Sequence, residues 1–139
     1  SDIEDNWSKE SIIKLASNGI IYGVGNNKFN PSSSITREHA VLMLARAVDL
    51  SMYPDTCSLN DLDDSEASII IAKAFNAGII SGDINGKFNG KAYISRAEVV
   101  SIINNLVYAN NLSTKENIFS DISSNDWYYK DILKATIEN

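Results

Sequence analysis

Two arginines occupy the same unusual place in the chain, each directly after a residue that favours a helix start. Arg37 follows Thr36 and Arg96 follows Ser95, and an apolar segment with helical periodicity comes next in both cases. A cation in the first turn of a helix faces the positive end of the helix dipole, which costs about 0.3 to 1 kcal/mol. Because this placement occurs twice, it predicts an anion beside each arginine. A guanidinium binds carboxylates through paired hydrogen bonds, so the pattern favours recognition of an anionic ligand.

Each arginine also has an interpretation that involves no ligand. Glu38, Glu98 or a neighbouring aspartate can supply the anion, because an exposed arginine commonly pairs with an acidic side chain of its own protein. The recurrence of the arginine at one register favours ligand binding. The sequence leaves both interpretations open, and they differ in the anion that lies beside the guanidinium.

Catalytic and metal-binding residue sets cannot be assembled from the sequence. The chain has one histidine, His39, and one cysteine, Cys57, which excludes a zinc cluster of these ligands and an internal disulfide framework. The loop that begins at Asp83 lacks the ligand spacing and closing glutamate of an EF-hand. No Ser-His-Asp set, pair of catalytic acids or Gly-rich phosphate loop is present. We therefore expect a protein that is not an enzyme and that uses no cofactor or metal.

The composition excludes further classes of partner. The chain of 139 residues has a formal net charge of −6, whereas nucleic-acid binding and binding to an anionic membrane surface need clustered basic residues. No uninterrupted apolar segment approaches the roughly 20 residues that span a membrane. We expect no nucleic-acid partner and no membrane insertion, and any anion must be bound locally.

An internal repeat organises the chain. Residues 15–48 align without gaps on residues 74–107, and a third copy of the opening segment begins near Phe119. The predicted units are a first repeat at 1–50, a second repeat at 59–111 and the first half of a third repeat at 119–139, with polar linkers at 51–58 and 110–117. Because each unit is too small to bury its own apolar faces, we expect the units to associate around shared helices.

Each complete repeat is predicted to form a helix, a loop and a second helix. The predicted helices lie at residues 7–18, 36–50, 66–77 and 95–109. Gly19 and Gly78 stand where a left-handed C-terminal cap belongs. The loops are rich in turn residues around one aromatic, Phe29 or Phe88, and show no sustained strand periodicity. The predicted fold class is all-α, with short extended pieces confined to the loops.

The ordered motifs resemble the S-layer homology (SLH) domains of bacterial cell-surface proteins. The first repeat contains "SDIEDNW", "NGIIYG", "NKFNP" and "ITREH", and the second contains "NDLDD", "AGIISG", "GKFNG" and "ISRAE". The third begins with "FSDISSNDW". The resemblance implies repeats packed with pseudo-threefold symmetry around a helical bundle. It also implies an extracellular location at the bacterial cell wall, within an S-layer or on an exoenzyme, and binding of a secondary cell wall polysaccharide that in many members carries a pyruvate ketal.

The resemblance further implies that arginine, aspartate and tryptophan line grooves between repeats. The expected groups are Arg96 with Trp127 and Asp121, Arg37 with Asp61, and Trp7 with Asp2. Glu66 replaces the tryptophan in the second repeat, and Lys87 is a further candidate contact unless it is simply solvated. The aspartates are expected to orient an arginine or cap a helix, since an unpaired carboxylate would repel an anionic sugar. The tryptophans fit a groove or the core equally well.

The third repeat contains no second helix and no third arginine. Either the sequence is trimmed there, or another chain supplies the helix, which predicts a homodimer formed by helix exchange. The leading hypothesis is a non-catalytic anchoring module that binds an anionic wall polysaccharide. The alternative is a protein-interaction or oligomerisation scaffold that uses the exposed helix of the third repeat.

Overall fold

The computed structural model describes residues 1–107 and 119–136, which form five helices. They are α1 (Lys9–Ser17), α2 (Arg37–Ala45), α3 (Glu66–Asn76), α4 (Arg96–Leu106) and α5 (Tyr129–Ala135). Within these described ranges the chain has isolated bridges but no strand, so the all-α prediction is confirmed. The predicted linker at 110–117 and the predicted end of the fourth helix at 108–109 lie outside the described residues.

The helix starts follow the side chains that cap them. Thr36 Oγ1 accepts a hydrogen bond from the His39 amide at 3.3 Å, and Ser95 Oγ accepts one from the Glu98 amide at 3.3 Å. The Glu98 carboxylate accepts in return from the Ser95 amide at 2.7 Å, which completes a capping box. The predicted caps are confirmed, and Arg37 is the first residue of its helix, as predicted.

The helix ends divide into those that were predicted and two that were not. Gly19 and Gly78 have φ of +69° and +72°, so the predicted left-handed caps are confirmed. The fourth helix was predicted to reach residue 109 but ends at Leu106. The second helix was predicted to reach residue 50 but ends at Ala45. The next amides, of Ala47 and Val48, bond to carbonyls three residues earlier, which tightens the chain into a turn.

One core is shared by the first and second repeats. Its buried members are Val41, Leu59, Ile71, Ala74, Ile79, Ile80, Phe88 and Ile102. Val41 comes from α2 and the others come from the second repeat, so this core spans the two repeats. Helix α2 contacts α3, and α4 contacts α5. The second helix of each complete repeat therefore packs against the first helix of the next one, which agrees with association around shared helices.

Backbone hydrogen bonds join the same two repeats at the start of α2. The amides of Arg37 and Glu38 donate to the carbonyls of Ala92 and Gly90 at 2.9 and 3.0 Å. The first amides of a helix have no partner within the helix, so the loop of the second repeat satisfies two of them. This loop acts as a cap supplied by a neighbouring repeat.

Candidate ligand-binding groove

An open groove of about 850 Å³ lies where the repeats meet. We call it the Arg37 groove. The first repeat contributes Arg37, the second contributes its loop and one side of α4, and Trp127 precedes α5. The polar and aromatic side chains that line it include Arg37, Asp83, Lys87, Tyr93, Glu98, Ser101, Asn105 and Trp127.

Contacts with the second repeat fix Arg37 in this groove. Its Nε donates to the Phe88 carbonyl at 3.0 Å, and its Nη1 is hydrogen-bonded to the Glu98 carboxylate. The guanidinium also lies 5.1 Å from the centre of the Phe88 ring. A guanidinium has five N–H donors, and these bonds use two of them; the side chain is 15% exposed. Arg37 thus joins two repeats and also presents donors to the groove.

The anion beside Arg37 is therefore Glu98 of the same chain. One carboxylate oxygen faces Arg37, and the other accepts from the Ser95 amide and hydroxyl at 2.7 and 2.8 Å. Burial raises the pKa of Glu98, but the bonds from Ser95 and the charge of Arg37 outweigh it, and the pKa lies below its usual value. Arg37 thus has an acidic partner in its own chain, and ligand binding by the same side chain stays a prediction.

The amides at the start of α2 do not face a ligand. Free N–H groups at the start of a helix can bind an anion together with a nearby cation. Those of Arg37 and Glu38 instead bond to carbonyls of the second repeat, because its loop occupies the positions in front of the helix. Side chains rather than helix amides must hold any anion in the groove.

Trp127 lies in the same groove as Arg37 and Lys87, and its side chain is 65% exposed. Arg96 and Asp121, which were expected to group with Trp127, are exposed and do not line this groove, so that grouping stays a prediction. The packing of α5 explains the difference. Asp131 of α5 accepts from Ser101 of α4, which itself lines the groove. Helix α5 therefore brings Trp127 to the arginine of the first repeat.

The carboxylates of Asp2 and Asp61 accept hydrogen bonds from loop amides of their own repeats. The Asp61 carboxylate accepts from the amides of Phe88 and Asn89 at 2.7 and 2.8 Å. Asp2 makes the equivalent bonds to Phe29 and Asn30, and these bonds lower the pKa of Asp2. The expectation that these carboxylates orient an arginine or cap a helix is corrected: their partners are loop amides 27 and 28 residues further on.

Arg37 and Asp61 were expected to face each other, and the structure connects them through Phe88. Arg37 binds the Phe88 carbonyl and Asp61 binds the Phe88 amide. Trp7 is 95% exposed and lies outside the groove, so neither tryptophan is a core residue. Sequence reasoning did not assign Tyr93 or Asn105 to the site. The repeat alignment equates positions but does not indicate which loop each arginine reaches.

Two further observations concern the described residues as a group. They contain no cluster of three or more histidine, cysteine, aspartate or glutamate side chains that could hold a metal ion. None of the helices in this part of the chain has the length and apolar character needed to cross a membrane.

Comparison with known proteins places these features in context. A family model described as the S-layer homology domain matches residues 1–41 and 58–100, more than half of the chain. Exoglucanase XynX of Acetivibrio thermocellus is 28% identical over 141 residues, which cover 100% of this chain and 13% of that protein. The S-layer protein sap of Bacillus anthracis is 31% identical over 129 residues, covering 88% of this chain and 15% of that protein. A cellulosome-anchoring protein of Acetivibrio thermocellus is 29% identical over 142 residues, which cover 98% of this chain and 32% of that protein. The chain spans at most a third of each of these three relatives.

Proposed function

Since this chain belongs to the S-layer homology domain family, we propose that it is a non-catalytic module that anchors a protein at the bacterial cell surface. Its partner in this proposal is an anionic secondary cell wall polysaccharide that carries a pyruvate ketal. The relatives include an S-layer protein and a cellulosome-anchoring protein, which supports surface anchoring. The matched exoglucanase shares only a small part of its length with this chain, so its enzymatic activity is not transferred.

The observation that carries the proposal is that Arg37, Lys87 and Trp127 line one open groove. A ketal pyruvate presents a carboxylate, which matches the guanidinium of Arg37 and the charge of Lys87. The exposed face of Trp127 suits the apolar side of a sugar ring. Tyr93 adds a second exposed aromatic to the same groove.

The other candidate residues form a second, weaker part of this proposal. Arg96 starts α4 as Arg37 starts α2, and its side chain is exposed. We keep Arg96 and Asp121 as contacts for the same polymer outside the Arg37 groove, and Trp7 with Asp2 as a further contact surface. Several weak contacts along one glycan raise avidity. The repeat boundaries 1–50, 59–111 and 119–139 are part of the same proposal.

Sedimentation with purified cell walls tests the proposal. We expect the protein to bind native walls, and we expect binding to fall when mild acid removes the pyruvate. Arg37→Ala should lose binding by about tenfold or more, because it removes a charge-assisted contact. Arg46→Ala is the matched control, since Arg46 is exposed and stacks on Tyr22 outside the groove. Binding that survives both pyruvate removal and Arg37→Ala would contradict the mechanism.

A second candidate function is that of an interaction scaffold, and one observation favours it. Ile13 of α1 is 48% exposed, whereas its repeat equivalent Ala72 is 2% exposed. Helix α5, in contrast, packs on α4 and buries Leu133. The exposed apolar helix face therefore belongs to α1. The alternative hypothesis had placed it in the third repeat. In this candidate α1 docks on a helix of a second copy, and the homodimer is tested by analytical ultracentrifugation. A monomer at every concentration would contradict it.

A further inference from the structure

We infer that Glu98 determines which anions the Arg37 groove accepts. By balancing the charge of Arg37, it makes the groove select a carboxylate that has a hydrogen-bond donor close by, as on an acidic sugar, over a simple anion of the same charge. This inference rests on the proposed function and names a specificity-determining residue of that site.

The position of Glu98 is the first observation. Its side chain is 26% exposed, lines the groove and contacts the guanidinium of Arg37. Its second oxygen is bound to the amide and hydroxyl of Ser95 as part of the capping box of α4. The carboxylate cannot swing out of the groove without breaking that cap. A ligand of Arg37 therefore always meets Glu98 as well.

The charge of the groove is the second observation. Arg37 and Lys87 are its cations, and Asp83 and Glu98 are its anions. The Asp83 carboxylate is occupied by the amides of Asn85 and Lys87 and by the side chain of Asn89, at 2.8 to 2.9 Å. The lining of the groove thus carries two positive and two negative groups, so it offers a simple anion no excess of positive charge.

The unused hydrogen-bonding capacity is the third observation. A carboxylate has about four acceptor positions, and Glu98 uses three of them on Ser95 and Arg37. The remaining one belongs to the oxygen that contacts Arg37. The pair thus offers donors to a carboxylate and an acceptor to a neighbouring O–H or N–H group. A ligand with both groups offsets the repulsion from Glu98, whereas a bare anion does not.

The repeat comparison is the fourth observation. The position equivalent to Glu98 in the first repeat is His39, and α2 starts there with Thr36 as its only side-chain cap. A glutamate at this position is therefore not needed to start the second helix of a repeat. In the second repeat, where the residue is glutamate, it faces the arginine of the preceding repeat.

Titration of Glu98→Gln with two probes tests the inference. The probes are pyruvate and a methyl hexoside that carries a 4,6-pyruvate ketal. Calorimetry measures the binding of each. Glutamine keeps an acceptor for the Ser95 amide but removes the charge. We expect pyruvate to bind roughly three- to tenfold more tightly to Glu98→Gln, from the loss of a like charge about 6 Å away. The preference for the ketal sugar over pyruvate should fall by a similar factor.

Ser95→Ala is the matched control, since it weakens the same helix cap and leaves the charge of Glu98 beside Arg37. We expect its ratio of the two affinities to stay closer to that of the wild type than the ratio for Glu98→Gln does, because Glu98 keeps its charge. An equal change in the ratio for both variants, or no change for Glu98→Gln, would overturn the inference. If no variant binds the ketal sugar, the proposed function fails, while the pyruvate titrations still decide the role of Glu98.

Discussion

Arg37 and Glu98 form an ion pair between two repeats, and each of them lies in the first turn of the second helix of its own repeat. The side chains are mostly buried, and Arg37 also binds the Phe88 carbonyl. The cation that begins α2 is thus stabilised by a carboxylate from the start of α4. One contact both joins the repeats and shapes the proposed site.

Arg37→Ala should destabilise the protein by about 1 to 3 kcal/mol. It removes charge-assisted hydrogen bonds and leaves the partly buried Glu98 without its cation. Urea unfolding followed by circular dichroism measures the change. Arg96→Ala, at the same helix position but exposed, should change the free energy of unfolding by less than about 0.5 kcal/mol. Equal effects of the two variants would contradict the cross-repeat role of Arg37.

Asp61→Ala should cost about 1 to 3 kcal/mol, because it leaves the amides of Phe88 and Asn89 without their acceptor. Asp121 is the equivalent residue of the third repeat and, in the described part of the chain, accepts no hydrogen bond from a loop amide, so Asp121→Ala serves as the control. We expect the control to unfold at nearly the wild-type urea concentration. If Asp61→Ala also does so, the loop does not depend on this carboxylate.

Trp127→Ala should weaken binding to cell walls by roughly two- to tenfold with little change in stability. The side chain is mostly exposed and lines the groove, so its loss removes an aromatic contact for the sugar. Trp7→Ala removes a tryptophan outside the groove, so its affinity for cell walls should stay closer to that of the wild type. Wall affinity measured by depletion distinguishes the two variants. A larger loss for Trp7→Ala would place the main site elsewhere.

The stability that Glu98 provides should depend on pH in the acid range. Its pKa in the folded protein is lowered from the ordinary value of 4.5, so the folded state binds the proton less readily than the unfolded chain does. The contribution is therefore present above about pH 4.5 and is lost as the pH falls through the folded pKa. Urea midpoints between pH 7 and pH 3 should fall more steeply for the wild type than for Glu98→Gln. Parallel curves would contradict this assignment.

Asp63 should remain ionised to an unusually low pH. Hydrogen bonds from the Ser65 and Ser68 side chains and the Ser65 amide hold the pKa of Asp63 at about 2. Carbon-detected NMR titration of the carboxyl groups measures this value. Ser68→Ala should raise it, because the Ser68 hydroxyl donates to Asp63 Oδ1 at 2.7 Å. An unchanged midpoint in that variant would show that the hydroxyl does not favour the charged form.

The sequence predicted those features that depend on neighbouring residues. Thr36, Ser95 and Gly19 act through bonds to amides or carbonyls a few residues away, so their types and spacing sufficed. The candidate site depends on contacts between repeats. That Trp127 lines the same groove as Arg37 follows from the packing of α5 on α4, and the alignment of repeats contains no such information. The loop amides that bind Asp61 lie 27 and 28 residues further along the chain, and sequence reasoning missed them because of this separation.

The loop of the second repeat that caps α2 has a consequence for how the protein opens. The amides of Arg37 and Glu38 are protected by carbonyls of Ala92 and Gly90 and by no bond within α2. Solvent deuterium can reach them when the two repeats separate, even if the rest of α2 stays helical. Their exchange rates therefore report the rate and free energy of repeat separation. The same two amides allow measurement of whether a bound glycan holds the repeats together.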